Sequence, residues 1–377
     1  MRNNYKGHRL VSAVLTVPAN EISARDFFDS FVSQRRPVVL KSPNAEFLRT
    51  EFSNAKLANT IGDMVVEVED KVQGPFGSTN VGRRKRMKFA SEFLPAMNSG
   101  DFYLTTQKIK EVDGIPEDFA PLIVRRLIDS GLVPLSLPIA GNLVLDNVNI
   151  WMGASNDGSS SGCHHDFHDN LYFLIRGTKT FRLRSPDRLP VTTGKPKIVH
   201  KNGYISYVPG IRADGADMVD VLRCKGGEEE LDEAEELELK RALSPLVDDS
   251  PPSFCATREA PEDAISVTLQ AGDIFYLPAG YFHEVISYND NYEVGHLAVN
   301  YWYHPPTEPS FSNPYPDNYW AFKAKRVARR LEKQERAAVK ALSGKSERRH
   351  IKQRPLFRHY TQRQMKMFIS RFLYVMF

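Results

Sequence analysis

The chain has 377 residues, 41% hydrophobic and 25% charged, with a formal net charge of +4 and three cysteines. That balance excludes a fibrous or disordered chain, and no run approaches the roughly 18 to 20 apolar residues that a bilayer span needs. Cys163, Cys224 and Cys255 lie too far apart for a zinc pattern or a disulfide framework, so the expectation is a protein of the cytoplasm or nucleus with no membrane segment.

In chain order, "ISARDFFDSFVSQRRPVVLK" begins with Ser23 as a helix cap and Asp26 three residues later, followed by Phe27, Phe28, Phe31 and Val32 at helical spacing. The helix is predicted to stop before Pro37, where "PVVLK" becomes a buried strand. The basic run "GRRKRMK" (82–88) is read as a loop leading into a helix over "FASEFLPAM". Residues 1–100 are thus a helix and strand region packed on the strand-rich core. "DFYLTTQ" (101–107) and "GNLVLDNVNIWMG" (141–153) are predicted strands, and "NLYFLIRGTKTFRLRSP" is predicted to form a two-stranded hairpin about its Gly-Thr turn.

Short strands with Gly and Pro turns recur in "YISYVPG", "ISVTLQAGDIFYLPAGYFHEVISY" and "HLAVNYWYHPP", the rhythm of an antiparallel barrel or jelly roll over residues 101–305. A segment at about 212–262 interrupts that rhythm. Eight acidic residues fall within 228–239, which reads as a solvated helix and loop, with docking on a basic partner as the alternative. From 306 to 377 the chain is predicted helical and basic. Residues 323–371 hold 17 Lys and Arg against 3 Glu, a net of +14, so the remainder of the chain sums to −10. The end, "RQMKMFISRFLYVMF", is apolar enough to want a partner surface and too short for a membrane span.

The chemistry concentrates in "GCHHDFHDNLYF" (162–173). His164 and Asp166, two residues apart, leave the same face of a strand, which gives one imidazole and one carboxylate pointing one way. A third ligand is offered by His283, just after the tight loop in "GDIFYLPAGYFHEV". Two imidazoles and one carboxylate form the facial triad of non-haem Fe(II) oxygenases, leaving three positions open for cosubstrate and O2. A dianionic cosubstrate also needs a cation. Lys179, on an otherwise apolar strand, is costly to bury unless a carboxylate pairs with it.

With "SGCHHDFHDNLYFLIRGTKTFRL", "GDIFYLPAGYFHEV" and "VNYWYH" in this order, and "RRPVVLK" and "MKFASEF…FYLTTQ" upstream, the chain resembles the JmjC or cupin-8 family of Fe(II)- and 2-oxoglutarate-dependent oxygenases. The likeness extends to the small protein hydroxylases related to the asparaginyl hydroxylase of hypoxia-inducible factor, and covers roughly residues 20–305. It implies a mainly β fold, a double-stranded β-helix (jelly-roll, cupin) core of about eight strands, with helical N-terminal and basic helical C-terminal regions outside. It implies His164, Asp166 and His283 as Fe(II) ligands and Lys179 as partner of the 2-oxoglutarate C5 carboxylate. Tyr103 and Ser161 would assist Lys179, with Ser161 standing where the family usually has Thr. Asn170 and Asn300 match two amides near the metal, and Trp302 an aromatic behind it. Cys163 stands where the family usually has a small or aliphatic residue, and His168 and Asp169 replace residues that shape the substrate side. His165, His168 and His296 are read as structural or surface residues.

The expected activity is hydroxylation of a protein side chain. The alternatives are N-methyl-lysine demethylation and an RNA-directed oxygenase that uses the basic tail. No zinc-finger reader is present, and the triad carries Asp where the family's chromatin demethylases more often carry Glu, which favours hydroxylation. The tail could reach nucleic acid through phosphate charge. The apolar end favours instead a homodimer through C-terminal helices, the pairing that the family's hydroxylases often use.

Overall fold

Short β-rich segments broken by glycines and prolines cannot each bury both faces alone, and most of them are assembled here into two sheets that share an interior, with a three-stranded sheet and a two-stranded sheet besides. The computed structural model describes residues 12–42, 48, 50–70, 84–112, 115–184, 191–193, 197–199, 205–207, 212, 214–226, 264–289 and 295–346. The acidic run at 228–239, Cys255 and the apolar end, on which the dimer reading rested, lie outside these residues.

The strands in chain order are β1 (Leu15–Pro18), β2 (Val38–Lys41), β3 (Val65–Asp70), β4 (Arg84–Lys88), β5 (Phe102–Leu104), β6 (Glu111–Val112), β7 (Ile115–Pro116), β8 (Leu145–Gly153) and β9 (Ser159–Ser160). They continue with β10 (Asp169–Arg176), β11 (Thr178–Arg184), β12 (Val191–Thr193), β13 (Lys197–Val199), β14 (Ile205–Tyr207), β15 (Ile265–Leu269), β16 (Ile274–Leu277), β17 (Phe282–Tyr288) and β18 (His296–Tyr303). The major sheet has the order β1-β2-β16-β10-β18-β8-β5-β3-β4 and the minor sheet β15-β11-β17-β9. The four central strands of the first and the four of the second make an eight-stranded jelly-roll core, and the N-terminal strands extend the major sheet at both edges. All neighbours within the two sheets run antiparallel except β1 and β2.

The period of two along each strand sorts side chains between two cores. On β10, Leu171, Phe173 and Ile175 face outward into a large cluster with Phe27, Phe28, Leu57, Val124 and Leu127 from the flanking helices. Tyr172 and Leu174 face inward, where they meet Phe181, Leu183, Leu269, Phe275 and Leu277. Burial on both faces accounts for the unbroken apolar run from Leu171 to Ile175 in β10. Each such buried side chain contributes roughly 1.5 to 3 kcal/mol.

Two sequence readings change. The stretch "NLYFLIRGTKTFRLRSP" is not a hairpin, because β10 pairs with β16 and β18 while β11 pairs with β15 and β17. Gly177 (φ 87°) turns the chain from one sheet into the other. A Cβ there would lie 2.5 Å from the Tyr288 carbonyl oxygen and 2.6 Å from the His296 Cβ, so the corner admits no side chain. The basic run is not a loop either. Arg84–Lys88 forms the edge strand β4, with Arg86 opposite Glu67 and Arg84 opposite Glu69. Cross-strand charge pairing and the exposed edge accommodate basic residues that would be poor in a central strand.

The N-terminal helix signal is realised over Ala24–Phe27 with the Ser23 hydroxyl accepting from the Asp26 amide at 3.1 Å, and the turn continues as a π-helix over Phe28–Val32. Arg35 then takes a left-handed conformation (φ 52°) and is 2% exposed. Its guanidinium reaches Asp169 at the start of β10 at 2.7 Å and the Ala279 carbonyl at 3.2 Å. Asp169 also accepts from the Tyr276 hydroxyl and the Ala279 amide, each at 2.9 Å. This buried knot ties the N-terminal region to the strand and loop that carry the site.

Candidate metal and cosubstrate site

His164 and His283 exchange backbone hydrogen bonds, His164 N–H to His283 O at 3.0 Å and the reverse at 2.7 Å, forming an isolated antiparallel bridge. His164 and Asp166 therefore lie on an extended segment bridged to β17 through the His164–His283 pair rather than within a regular strand. Two further contacts pin the segment. Val285 N–H donates to the Ser161 hydroxyl at 3.0 Å, and Gly280 N–H donates to the Asp166 carbonyl at 2.8 Å.

The side chains of His164, Asp166 and His283 converge. One ligand atom from each lies within 4.8 Å of the others. The His283 Nε2 is 3.8 Å from the Asp166 Oδ2, and the two imidazole centroids are 4.3 Å apart. The ring orientations follow from the backbone. His164 Nδ1 lies 3.0 Å from the Gly162 carbonyl, and His283 Nδ1 lies 3.0 Å from the Tyr281 carbonyl. A carbonyl oxygen only accepts, so each Nδ1 carries the proton and each Nε2 presents a lone pair to the common centre. Burial, helped by the neighbouring His164, pushes the His283 pKa down to about 4, which keeps this imidazole neutral. His283 is buried, Asp166 half-buried and His164 exposed, so the centre sits at a mouth of the barrel.

Deeper inside, Lys179 shares the inward face of β11 with Phe181 and Leu183 and is fully buried. Its Nζ donates to the Ser287 hydroxyl at 2.5 Å and lies 5.7 Å from the Tyr103 ring centre. Burial drives its pKa down to about 7. Tyr103 stacks obliquely against Trp151 and His296, with centroids 6.3 and 5.7 Å away, and its hydroxyl is held protonated by burial and by the Glu69 charge. Gly153 makes room for that tyrosine, since a Cβ there would lie 2.6 Å from its ring. Ser161 is not drawn to Lys179 here. Its hydroxyl donates to the Gly162 carbonyl at 2.9 Å and accepts from Val285.

The two amides meet each other. Asn300 Nδ2 donates to the Asn170 Oδ1 at 3.2 Å, and the Trp151 indole N–H donates to the Asn300 Oδ1 at 2.7 Å. Trp302 lies opposite Asn170 in the ladder and stacks on His168 at 5.8 Å.

A family profile for a cupin-like domain matches residues 24–308. The chain belongs to the cupin-like JmjC family. It is 30% identical to JmjC domain-containing protein 4 of Schizosaccharomyces pombe, over 81% of this chain and 88% of that protein. It is 25% identical to the human bifunctional peptidase and (3S)-lysyl hydroxylase JMJD7, over 74% of this chain and 80% of that protein. The lysine-specific demethylase JMJ32 of Arabidopsis thaliana is 29% identical over 41% of each chain.

JmjC proteins generally use Fe(II) and 2-oxoglutarate, and the residues present fit both. Two imidazoles anchored through Nδ1 and one carboxylate are a donor set that would hold Fe(II), and three protein donors would leave positions for other ligands. The inner pocket fits a carboxylate. Besides the buried Lys179 ammonium, both ring nitrogens of His296 are buried and have no hydrogen-bond partner among the described residues.

Sequence reasoning missed Ser287 and took His296 for a structural or surface residue. Ser287 stands opposite Lys179 in the β11–β17 ladder, four residues after His283 and hence on the same face. That spacing was the available signal. His296 is fully buried because β18 is central in its sheet, which no local pattern announces.

Proposed function

We propose that this JmjC protein is an Fe(II)- and 2-oxoglutarate-dependent dioxygenase that hydroxylates a protein side chain, converting 2-oxoglutarate to succinate and CO2. The observation that carries the reading is the joint arrangement of the His164, Asp166 and His283 donors at the barrel mouth with a buried lysine deeper along the same interior. When bound, Fe(II) supplies the redox chemistry with O2. His164 and His283 bind it as neutral ligands with fixed tautomers, and Asp166 adds the only anionic ligand.

Lys179, with the Ser287 hydroxyl and the His296 ring beside it, binds the distal carboxylate of 2-oxoglutarate. Asn170 and Asn300, already hydrogen-bonded to each other and to Trp151, orient groups near the metal, and the packed aromatics keep water from the inner pocket. Relatives acting on lysine by their names include both a hydroxylase and a demethylase. The hydroxylase aligns with about three quarters of this chain and the demethylase with under half, so an unmethylated lysyl side chain is the first target to test.

The experiment compares protein substrates from cells expressing the wild type or Asp166→Ala. A lysine gaining one oxygen atom only with the wild type, matched by succinate, supports the reading. Formaldehyde released from methylated lysine in step with succinate replaces it with demethylation. Unchanged turnover in Asp166→Ala removes the metal assignment.

A further inference from the structure

A second group of ligand-grade side chains lies beside the first and takes no part in it. Asp146, His168 and His304 each present one donor atom, and these atoms all fall within 4.8 Å of one another. Both histidines use Nε2. The His168 Nε2 is 3.6 Å from one Asp146 carboxylate oxygen and the His304 Nε2 is 3.7 Å from the other. Those separations are longer than a good N–H···O hydrogen bond, which runs to about 3.2 Å. A tetrahedron whose centre binds N and O donors at about 2.0 to 2.2 Å has an edge of about 3.3 to 3.6 Å; the 3.6 Å separation reaches that length, and the 3.7 Å separation, to the other carboxylate oxygen, lies just above it.

Each donor is held by something other than its two partners. Asp146 is the extra residue where the β8–β18 ladder slips, since Asn147 faces Trp302 and Leu145 faces Tyr303. Such a bulge redirects a side chain that would otherwise follow the strand's alternation. The Asn147 amide donates to Asp146 Oδ2 at 2.7 Å. His168 is stacked on Trp302. His304 is 7% exposed, and its ring lies on Trp320, 14° from parallel. Its main chain is fixed at both ends, N–H to the Val144 carbonyl at 3.1 Å and carbonyl from the Tyr315 hydroxyl at 2.7 Å.

We propose that Asp146, His168 and His304 form a second, structural site for a zinc-class divalent cation, separate from the His164, Asp166 and His283 centre. Two neutral imidazoles and a carboxylate carry one negative charge against the ion's two positive ones, and water completes the tetrahedron. The ion joins the start of β8, the segment entering β10 and the end of β18. Through the His304 stack on Trp320, it also braces the long helix Tyr319–Ser346.

The test uses the full-length protein, stripped with chelator and titrated with Zn(II) and with Co(II) as a spectroscopic probe. The wild type is expected to take two equivalents of Zn(II). Asp166→Ala and Asp146→Asn are each expected to retain one, and the double variant none. Tetrahedral Co(II) absorption is expected to survive in Asp166→Ala and to vanish in Asp146→Asn. His168→Ala, changed at a side chain 30% exposed, repeats the test should Asp146→Asn misfold. A single equivalent in the wild type that Asp166→Ala loses, or a second one that persists in both variants of the new site, overturns the proposal. The Asp166→Ala arm keeps that outcome distinct from a failure of the first centre.

Discussion

Lys179 is an amine buried to 0% exposure whose pKa burial has driven to about 7, and its protonation state decides what it can bind. Above that pH the free protein holds it largely neutral, while a bound carboxylate favours the ammonium. Binding of 2-oxoglutarate therefore takes up a proton, and the affinity for it is expected to fall up to about tenfold per pH unit above 7 and to flatten below. Isothermal titration in buffers of different ionisation enthalpy measures the uptake. Lys179→Met should abolish both the uptake and the pH dependence, and a wild-type affinity that rises with pH would reverse the assignment. Removing the cation while leaving the ligand's charge buried costs about 3 to 5 kcal/mol. Lys179→Ala is thus expected to raise the 2-oxoglutarate requirement by roughly 100-fold or more with metal binding intact, as seen by Mn(II) titration.

At the scale of elements, two junctions hold the site in place. Gly177 turns β10 into β11 where no Cβ fits, and it does so at a positive φ. Gly177→Ala must displace the Tyr288 backbone or His296, so its expected destabilisation, about 1 to 3 kcal/mol in chemical denaturation, comes with a weaker grip on 2-oxoglutarate. Arg35 joins the N-terminal turn to Asp169 and Ala279, on the strand and loop flanking the proposed metal ligands. Arg35→Ala leaves the Asp169 carboxylate buried without its cation, and a loss of about 3 to 5 kcal/mol is expected. A urea midpoint within error of the wild type would show that the knot carries no such energy. The segment around Arg35 reads in sequence only as the end of a helix. Its partner is 134 positions away, a pairing created by the fold alone.

For the molecule as a whole, His164 is exposed and Lys179 fully buried on the same barrel, and a ligand that binds only the folded protein stabilises it. With metal present and oxygen excluded, 2-oxoglutarate at about 100 times its Kd is expected to stabilise the fold by about 2.7 kcal/mol. A thermal melt shows this as an upward shift that Lys179→Ala lacks. A shift of equal size in that variant would place the cosubstrate elsewhere. The N-terminal strands close both edges of the major sheet, so removing the residues before Phe102 would expose unpaired edges of β5 and β16.

Much of this was legible in the residues themselves. The short strands and Gly or Pro turns announce a jelly roll, because alternation at period two with frequent breaks has few other packed solutions. His164, Asp166, His283 and Lys179 stand out because ligand-grade or charged side chains are costly among apolar strand residues unless something binds them. Sequence left Lys179 without a face, since it lies fifteen residues after His164 and across a turn, an offset that does not determine one. The crossing at Gly177 decided it by placing Lys179 inward with Phe181 and Leu183. The hairpin expected at that glycine was a reading of local turn chemistry, and it failed because pairing partners are chosen by the whole sheet. Ser287 opposite Lys179, His296 beside Tyr103, and the meeting of Asp146, His168 and His304 all depend on register between strands far apart in the chain. Local pattern determines what a residue can do. Only tertiary packing determines what it stands next to, because those contacts form between segments whose separation no local propensity encodes.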